Sequence, residues 1–196
     1  MSMLSNLELI RRVPLFALLT ANQAESVADA VVKRRFKRGE TVVEQGEKSN
    51  TLFIILTGRV RVVTSDKRGR EVILATLQPG DYIGEMSLID NEAHSATVRA
   101  EVQTDMLALG RAEFARCLPE NSSMAYAIMK GLVQRLRQAD RKIESLALMD
   151  VYGRVARALM EFAAPDKDGN NTIKDRISRQ DIAKMVGASR EMVSRV

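Results

Sequence analysis

Residues 179–196 read RQDIAKMVGASREMVSRV. Ile182, Ala183 and Val186 recur at the spacing of one helix face and end at Gly187, a residue that turns the chain sharply at little steric cost. Ser189 then stands where a side-chain oxygen caps a second helix, with Met192 and Val193 expected inside it. Two short helices around a Gly-containing turn predict a helix-turn-helix, whose second helix fits a major groove about 12 Å wide. Arg190, Glu191, Ser194 and Arg195 fall off the apolar side, offering Arg to guanine O6 and N7 and Glu to the cytosine amino group. The same spacing also describes an ordinary pair of helices with a solvated charged face.

Working upstream, Ser178 and Asp181 approximate a capping box that starts the first of these helices. NTIKDRIS (171–178) is a short strand candidate, and AAPDKDGNNT (163–172) is a polar loop within a domain. Asp166 and Asp168 beside Gly169 lack the spacing of a calcium loop, so a turn is the better reading. VYGRVARALMEFA (151–163) carries Val151, Val155, Leu159 and Phe162 on one face, and Asp150 suits its N-cap. Before it, Met129, Leu132, Leu136, Ala139, Ile143 and Leu146 step by three and four residues. That periodicity predicts a long helix with a dimer seam, or one packed on its own chain.

The region from Val31 to Leu109 changes period. Gly39, Gly46, Gly58, Gly69 and Gly80 punctuate β-branched runs such as TLFIILTG (51–58), RVRVVTS (59–65) and REVILATL (70–77), an all-β pattern. Asp66-Lys67-Arg68-Gly69 predicts a hairpin loop and Gln78-Pro79-Gly80-Asp81 a turn. A small antiparallel roll follows, and the whole chain is expected in the α+β class.

The 196 residues, 45% hydrophobic and 28% charged, suffice for one or two folded domains. One cysteine, Cys117, and one histidine, His94, leave little for a disulfide, an iron–sulfur cluster, a haem, or a His-based metal or catalytic triad. No GxGxxG, P-loop, GxSxG, HExxH or CxxC motif occurs, so an enzyme is not expected. The N-terminus lacks a signal-peptide pattern and no apolar run approaches a membrane span; the cytoplasm is the expected location. Residues 151–196 hold nine Lys and Arg against six Asp and Glu, a surplus of three out of the chain's five. Concentrated there, cations can hold DNA phosphates.

In order and motif, the chain resembles the CRP/FNR family of bacterial transcription regulators. The resemblance rests on GDYIGEMSLIDNEAHSATVRA (80–100), LALMDVYGRVARAL (146–159) and ISRQDIAKMVGASREMVSRV (177–196). It implies an effector-binding β-roll over 1–120, a dimerisation helix and hinge over 121–150, and a winged helix-turn-helix over 151–196, incomplete where the sequence stops. It assigns base reading of a TGTGA-like half-site to Arg190, Glu191 and Arg195, with Ser178, Arg179, Gln180 and Ser189 also at the DNA. It further implies a homodimer on palindromic double-stranded promoter DNA, RNA polymerase as a partner, and a cyclic nucleotide as effector. No metal or other cofactor is implied.

For the effector, the resemblance assigns Gly84, Glu85, Met86, Ser87, His94, Ser95 and Arg135. Yet His94 replaces the arginine that neutralises the cyclic phosphate in members that bind cyclic AMP, and Ala139 and Asp140 replace the Thr-Ser pair at adenine. An imidazole is a poor substitute for a bidentate, permanently charged fork. Cyclic di-GMP is therefore favoured over cyclic AMP, with Arg59, Arg61, Arg68, Arg70 and Arg135 as cationic partners for its phosphates. Alternatives are a cyclic AMP-responsive regulator, a ligand-independent regulator with a degenerate cassette, and a nucleotide-sensing protein-interaction module without DNA binding.

Overall fold

The computed structural model describes residues 5–17, 19–117, 122–165, 167, 170–173 and 177–196, with the backbone alone for 116–117 and 122–124. In chain order the elements are α1 (Asn6–Ile10), α2 (Ala21–Ala30), β1 (Val32–Phe36), β2 (Thr41–Val43), β3 (Thr51–Thr57), β4 (Val60–Ser65) and β5 (Glu71–Leu77). There follow β6 (Tyr82–Ile83), α3 (Glu85–Asp90), β7 (Thr97–Ala100), β8 (Thr104–Gly110), α4 (Arg111–Cys117) and α5 (Ser122–Leu148). The chain ends with α6 (Val151–Phe162), β9 (Ala164–Pro165), β10 (Asn171–Thr172), α7 (Arg179–Val186) and α8 (Arg190–Ser194). Two compact units result: the chain up to Thr64 with Ala75–Val133, and Ser65–Leu74 with Gln134–Val196.

The β-branched runs form two antiparallel sheets, ordered β1-β8-β3-β6 and β2-β7-β4-β5. Side chains of β3 alternate between two cores, as the two-residue period of a strand requires. Leu52 and Ile54 join Leu107 and Leu109 of β8 beneath α1, α2 and Phe114 of α4. Ile55 instead meets Val43, Val60, Val98 and Met106 between the sheets. Each such aliphatic side chain contributes roughly 1.5–3 kcal/mol on burial. The two anticipated turns are present: the Gly69 amide donates to Asp66 O at 2.9 Å, and the Asp81 amide to Gln78 O at 3.0 Å.

The 27-residue α5 begins against the first unit. Tyr82 Oη donates to Ile128 O at 3.1 Å, and a Cβ at Gly131 would collide with that hydroxyl oxygen. A glycine in mid-helix costs about 1 kcal/mol of propensity; here it makes the close approach possible. Leu132 packs on the roll's core, which removes it from the expected seam. Met129, Leu136, Ile143 and Leu146 are exposed, at 56, 62, 64 and 57%.

In the second unit Val155 of α6, Ile182, Ala183 and Val186 of α7 and Val193 of α8 form one small core. Asp150 caps α6, accepting from the Gly153 amide at 2.8 Å. Two expectations need correction. Met192 is half exposed, because a five-residue helix lying across α7 buries one position per turn and Val193 takes it. Asn171–Thr172 pairs with Ala164–Pro165, so the loop candidate is a minimal hairpin and the strand candidate keeps only its first two residues among those described. Ser178 caps α7 as the sequence suggested, its Oγ accepting from the Asp181 amide at 3.0 Å. Asp166, Asp168 and Gly169 lie outside the described residues.

Candidate functional site

The cassette is built on Gly84. It takes a left-handed conformation, φ 93°, before α3, and a Cβ there would stand 2.5 Å from Thr51 O. Any other residue meets both penalties. The first-turn amides of α3 have no acceptor within the helix, as at every helix start. Glu85 and Ser87 are buried there, whereas Met86 is about half exposed and Ser95 exposed.

His94 returns to this helix from a loop tied down at both ends. Its amide donates to Glu47 O at 2.9 Å, and its carbonyl accepts from the Gly46 amide at 2.9 Å. The ring is buried, 8% exposed, with Nδ1 3.1 Å from Ser87 Oγ and Nε2 2.8 Å from Ser49 Oγ. One serine donates to the unprotonated nitrogen and the other accepts from the protonated one. Burial holds the imidazole below its ordinary pKa, so it is neutral at pH 7. Where the resemblance leads one to expect a phosphate-binding arginine, an uncharged ring stands clasped between two hydroxyls.

Sequence reasoning missed the outer members of this cluster. Arg111, the first residue of α4, donates through Nη2 to Ser87 O at 2.7 Å and through Nε to Asn50 Oδ1 at 3.0 Å. The spacings from Ser87 to Arg111 and from Ser49 to His94 span 24 and 45 positions, beyond any local period. Only a Ser-Asn pair before a strand and an Arg after one hinted at them. The expected surface cations are partly occupied: Arg59 and Arg61 both pair with Glu101, at 2.8 and 2.6 Å, and Arg70 with Asp66 at 2.7 Å. Alternation brings Arg59 and Arg61 near the same carboxylate, a pairing that composition conceals. Arg135 lies on α5 in the second unit, half-buried and with a partner of its own.

In the second unit Gly187 ends α7 in a left-handed conformation, φ 64°, and the Ala188 amide closes the turn on Ala183 O at 3.0 Å. Ser189 caps α8, its Oγ accepting from the Met192 amide at 3.2 Å. With Val193 inward, Arg190, Glu191, Ser194 and Arg195 face solvent, as do Ser178, Arg179 and Gln180 at the start of α7. Backbone and Ser189 hydrogen bonds keep the Glu191 carboxyl below its usual pKa, so it is an ionised acceptor. Among the described residues no group of His, Cys, Asp and Glu could hold a metal ion, and no helix is long and apolar enough to cross a membrane.

Residues 33–121 match the cyclic nucleotide-binding domain and residues 153–196 the Crp-like helix-turn-helix domain. The chain is 37% identical over 173 residues to the cAMP-activated global transcriptional regulator Vfr of Pseudomonas aeruginosa, covering 84% of this chain and 79% of the relative. It is 31% identical over 183 residues to the cyclic AMP receptor protein of Thermus thermophilus, covering 93% and 83%. A solved structure, the c-di-GMP responsive global regulator CLP of Xanthomonas campestris, matches with TM-score 0.79 at 27% identity over 90% of this chain and 89% of that one.

Proposed function

The chain belongs to the CRP/FNR family of transcription regulators, and from that premise we propose that cyclic di-GMP controls its reading of a palindromic promoter site as a homodimer. It is a DNA-binding transcription regulator under cyclic-nucleotide control, not an enzyme. The observation that carries the choice of effector is the state of His94: a neutral, buried ring gives a cyclic phosphate no counter-charge. Losing one charge-assisted hydrogen bond of this kind costs about 1.5–3 kcal/mol, one to two decades of affinity for cyclic AMP. Likeness to a regulator described as c-di-GMP responsive supports the same reading.

The proposed contacts are Gly84, Glu85, Met86, Ser87, His94 and Ser95 in the cassette, with Arg135 carried over from the family. Arg190, Glu191 and Arg195 read bases, while Ser178, Arg179, Gln180 and Ser189 hold phosphates. Half-sites one helical turn apart match a two-fold dimer, and RNA polymerase is the partner at the promoter. Effector binding changes how the two α5 helices of the dimer pack, and the change passes through Met149 and Asp150, the two residues between α5 and α6.

Parallel calorimetric titrations of cyclic di-GMP, cyclic AMP and cyclic GMP test the effector. Heat with cyclic di-GMP at micromolar concentration supports the reading. A second reading, cyclic AMP, is favoured by the names of relatives at 37 and 31% identity, and heat from cyclic AMP alone selects it. No heat from any of the three leaves a cassette that serves only the fold.

A further inference from the structure

The helix-turn-helix shares its unit with a segment far upstream, the tip of the β4–β5 hairpin. Lys184 Nζ on α7 donates to Glu71 Oε2 at 2.6 Å across 113 positions of sequence, with both side chains mostly covered, 29 and 24% exposed. Two residues further along β5, the backbone is held again: Lys142 of α5 donates to Ile73 O at 3.2 Å and also to Leu74 O. β5 lies at the edge of its sheet, where one row of backbone groups has no neighbouring strand, and the ammonium group supplies a donor to the backbone there. The hairpin is also braced internally. Asp66 Oδ1 accepts the amides of Arg68 and Arg70, at 2.9 and 3.0 Å, and its Oδ2 accepts Arg70 Nε at 2.7 Å.

An isolated, partly exposed ion pair adds little to stability. Its value here is geometric. Lys184 sits in the last turn of α7, three residues before Gly187, and α7 shares a core with α8 through Ile182, Val186 and Val193. Whatever fixes α7 therefore fixes the reading helix.

We propose that the β4–β5 hairpin is a strut for the helix-turn-helix, with Glu71, Lys184 and Lys142 as positioning residues on which DNA reading depends without their touching a base. This rests on the DNA-reading function proposed above. The test is a charge-reversal cycle in the full chain, Glu71→Lys, Lys184→Glu and the double reversal, read by fluorescence anisotropy on a palindromic TGTGA-type duplex. Glu71→Lys adds two positive charges, so electrostatic attraction alone would tighten binding to DNA. A strut requires the opposite, about 3- to 10-fold weaker binding for each single reversal and recovery of most of the loss in the double, as contacting residues couple. The dependence on salt keeps its slope throughout.

Hydrogen exchange without DNA gives a second arm: α7 and hairpin amides exchange faster in each single reversal and slow again in the double. Tighter or unchanged binding by Glu71→Lys overturns the strut, as does a double reversal no better than the weaker single. A salt slope smaller by about one in Lys184→Glu also overturns it, because Lys184 would then be a phosphate contact. If the wild type binds no duplex, the DNA-reading proposal fails, and the exchange arm still decides the strut.

Discussion

At the scale of single residues, His94 concentrates the chemistry. Its pKa is lowered by burial, so the unfolded chain takes up a proton that the folded chain resists. Stability is complete above the ordinary imidazole pKa of about 6.5 and declines as pH falls through it. Thermal melts between pH 7.5 and 5.5 should show wild type losing more melting temperature than His94→Gln, whose side chain does not titrate. His94→Arg restores a permanent cation, and calorimetry should find cyclic AMP bound about 10- to 100-fold more tightly, the reverse of a loss of 1.5–3 kcal/mol. This residue was legible in the sequence, because one histidine stands in a cassette of otherwise matching residues. Its surroundings were not: Ser49, Asn50 and Arg111 arrive from the ends of β3 and β8, and only strand register, Thr51 opposite Gly110, makes them neighbours.

Among the elements, α5 shows what periodicity conceals. A three-four spacing says that a helix has an apolar face; it does not say what covers that face. The seam expected from Met129 to Leu146 divides in the structure, with Leu132 against the roll and Met129, Leu136, Ile143 and Leu146 uncovered. The close passage at Gly131 was equally hidden, since it depends on Tyr82, which lies in a two-residue strand. Gly131→Ala improves helix propensity by about 1 kcal/mol, yet should destabilise the protein by about 1–3 kcal/mol through overpacking. Chemical denaturation measures this. Adding Tyr82→Phe, which removes the obstructing oxygen, should recover part of the loss. By contrast, α7 and α8 were legible nearly residue by residue, because capping serines, a left-handed glycine and a helical apolar period are all local signals.

For the whole molecule, the fold class and the order of roll, long helix and helix-turn-helix follow from changes in hydrophobic period along the chain. The grouping of the β4–β5 hairpin tip, Ser65–Leu74, with the helix-turn-helix does not, because the pair that marks it joins residues 113 positions apart. Met129, Leu136, Ile143 and Leu146 are uncovered apolar residues on α5, and a second copy of α5 is the proposed cover. Leu136→Lys combined with Ile143→Lys should convert the protein from dimer to monomer in sedimentation at micromolar concentration, while circular dichroism remains folded. The most direct test of cyclic-nucleotide control is anisotropy on a palindromic TGTGA-type duplex at fixed salt, without effector and with saturating cyclic di-GMP or cyclic AMP. Cyclic di-GMP should shift the DNA affinity by about 5- to 150-fold, the range of a coupling of 1–3 kcal/mol, and cyclic AMP should leave it nearly unchanged. An affinity indifferent to both nucleotides, or responsive to cyclic AMP alone, would contradict cyclic di-GMP control.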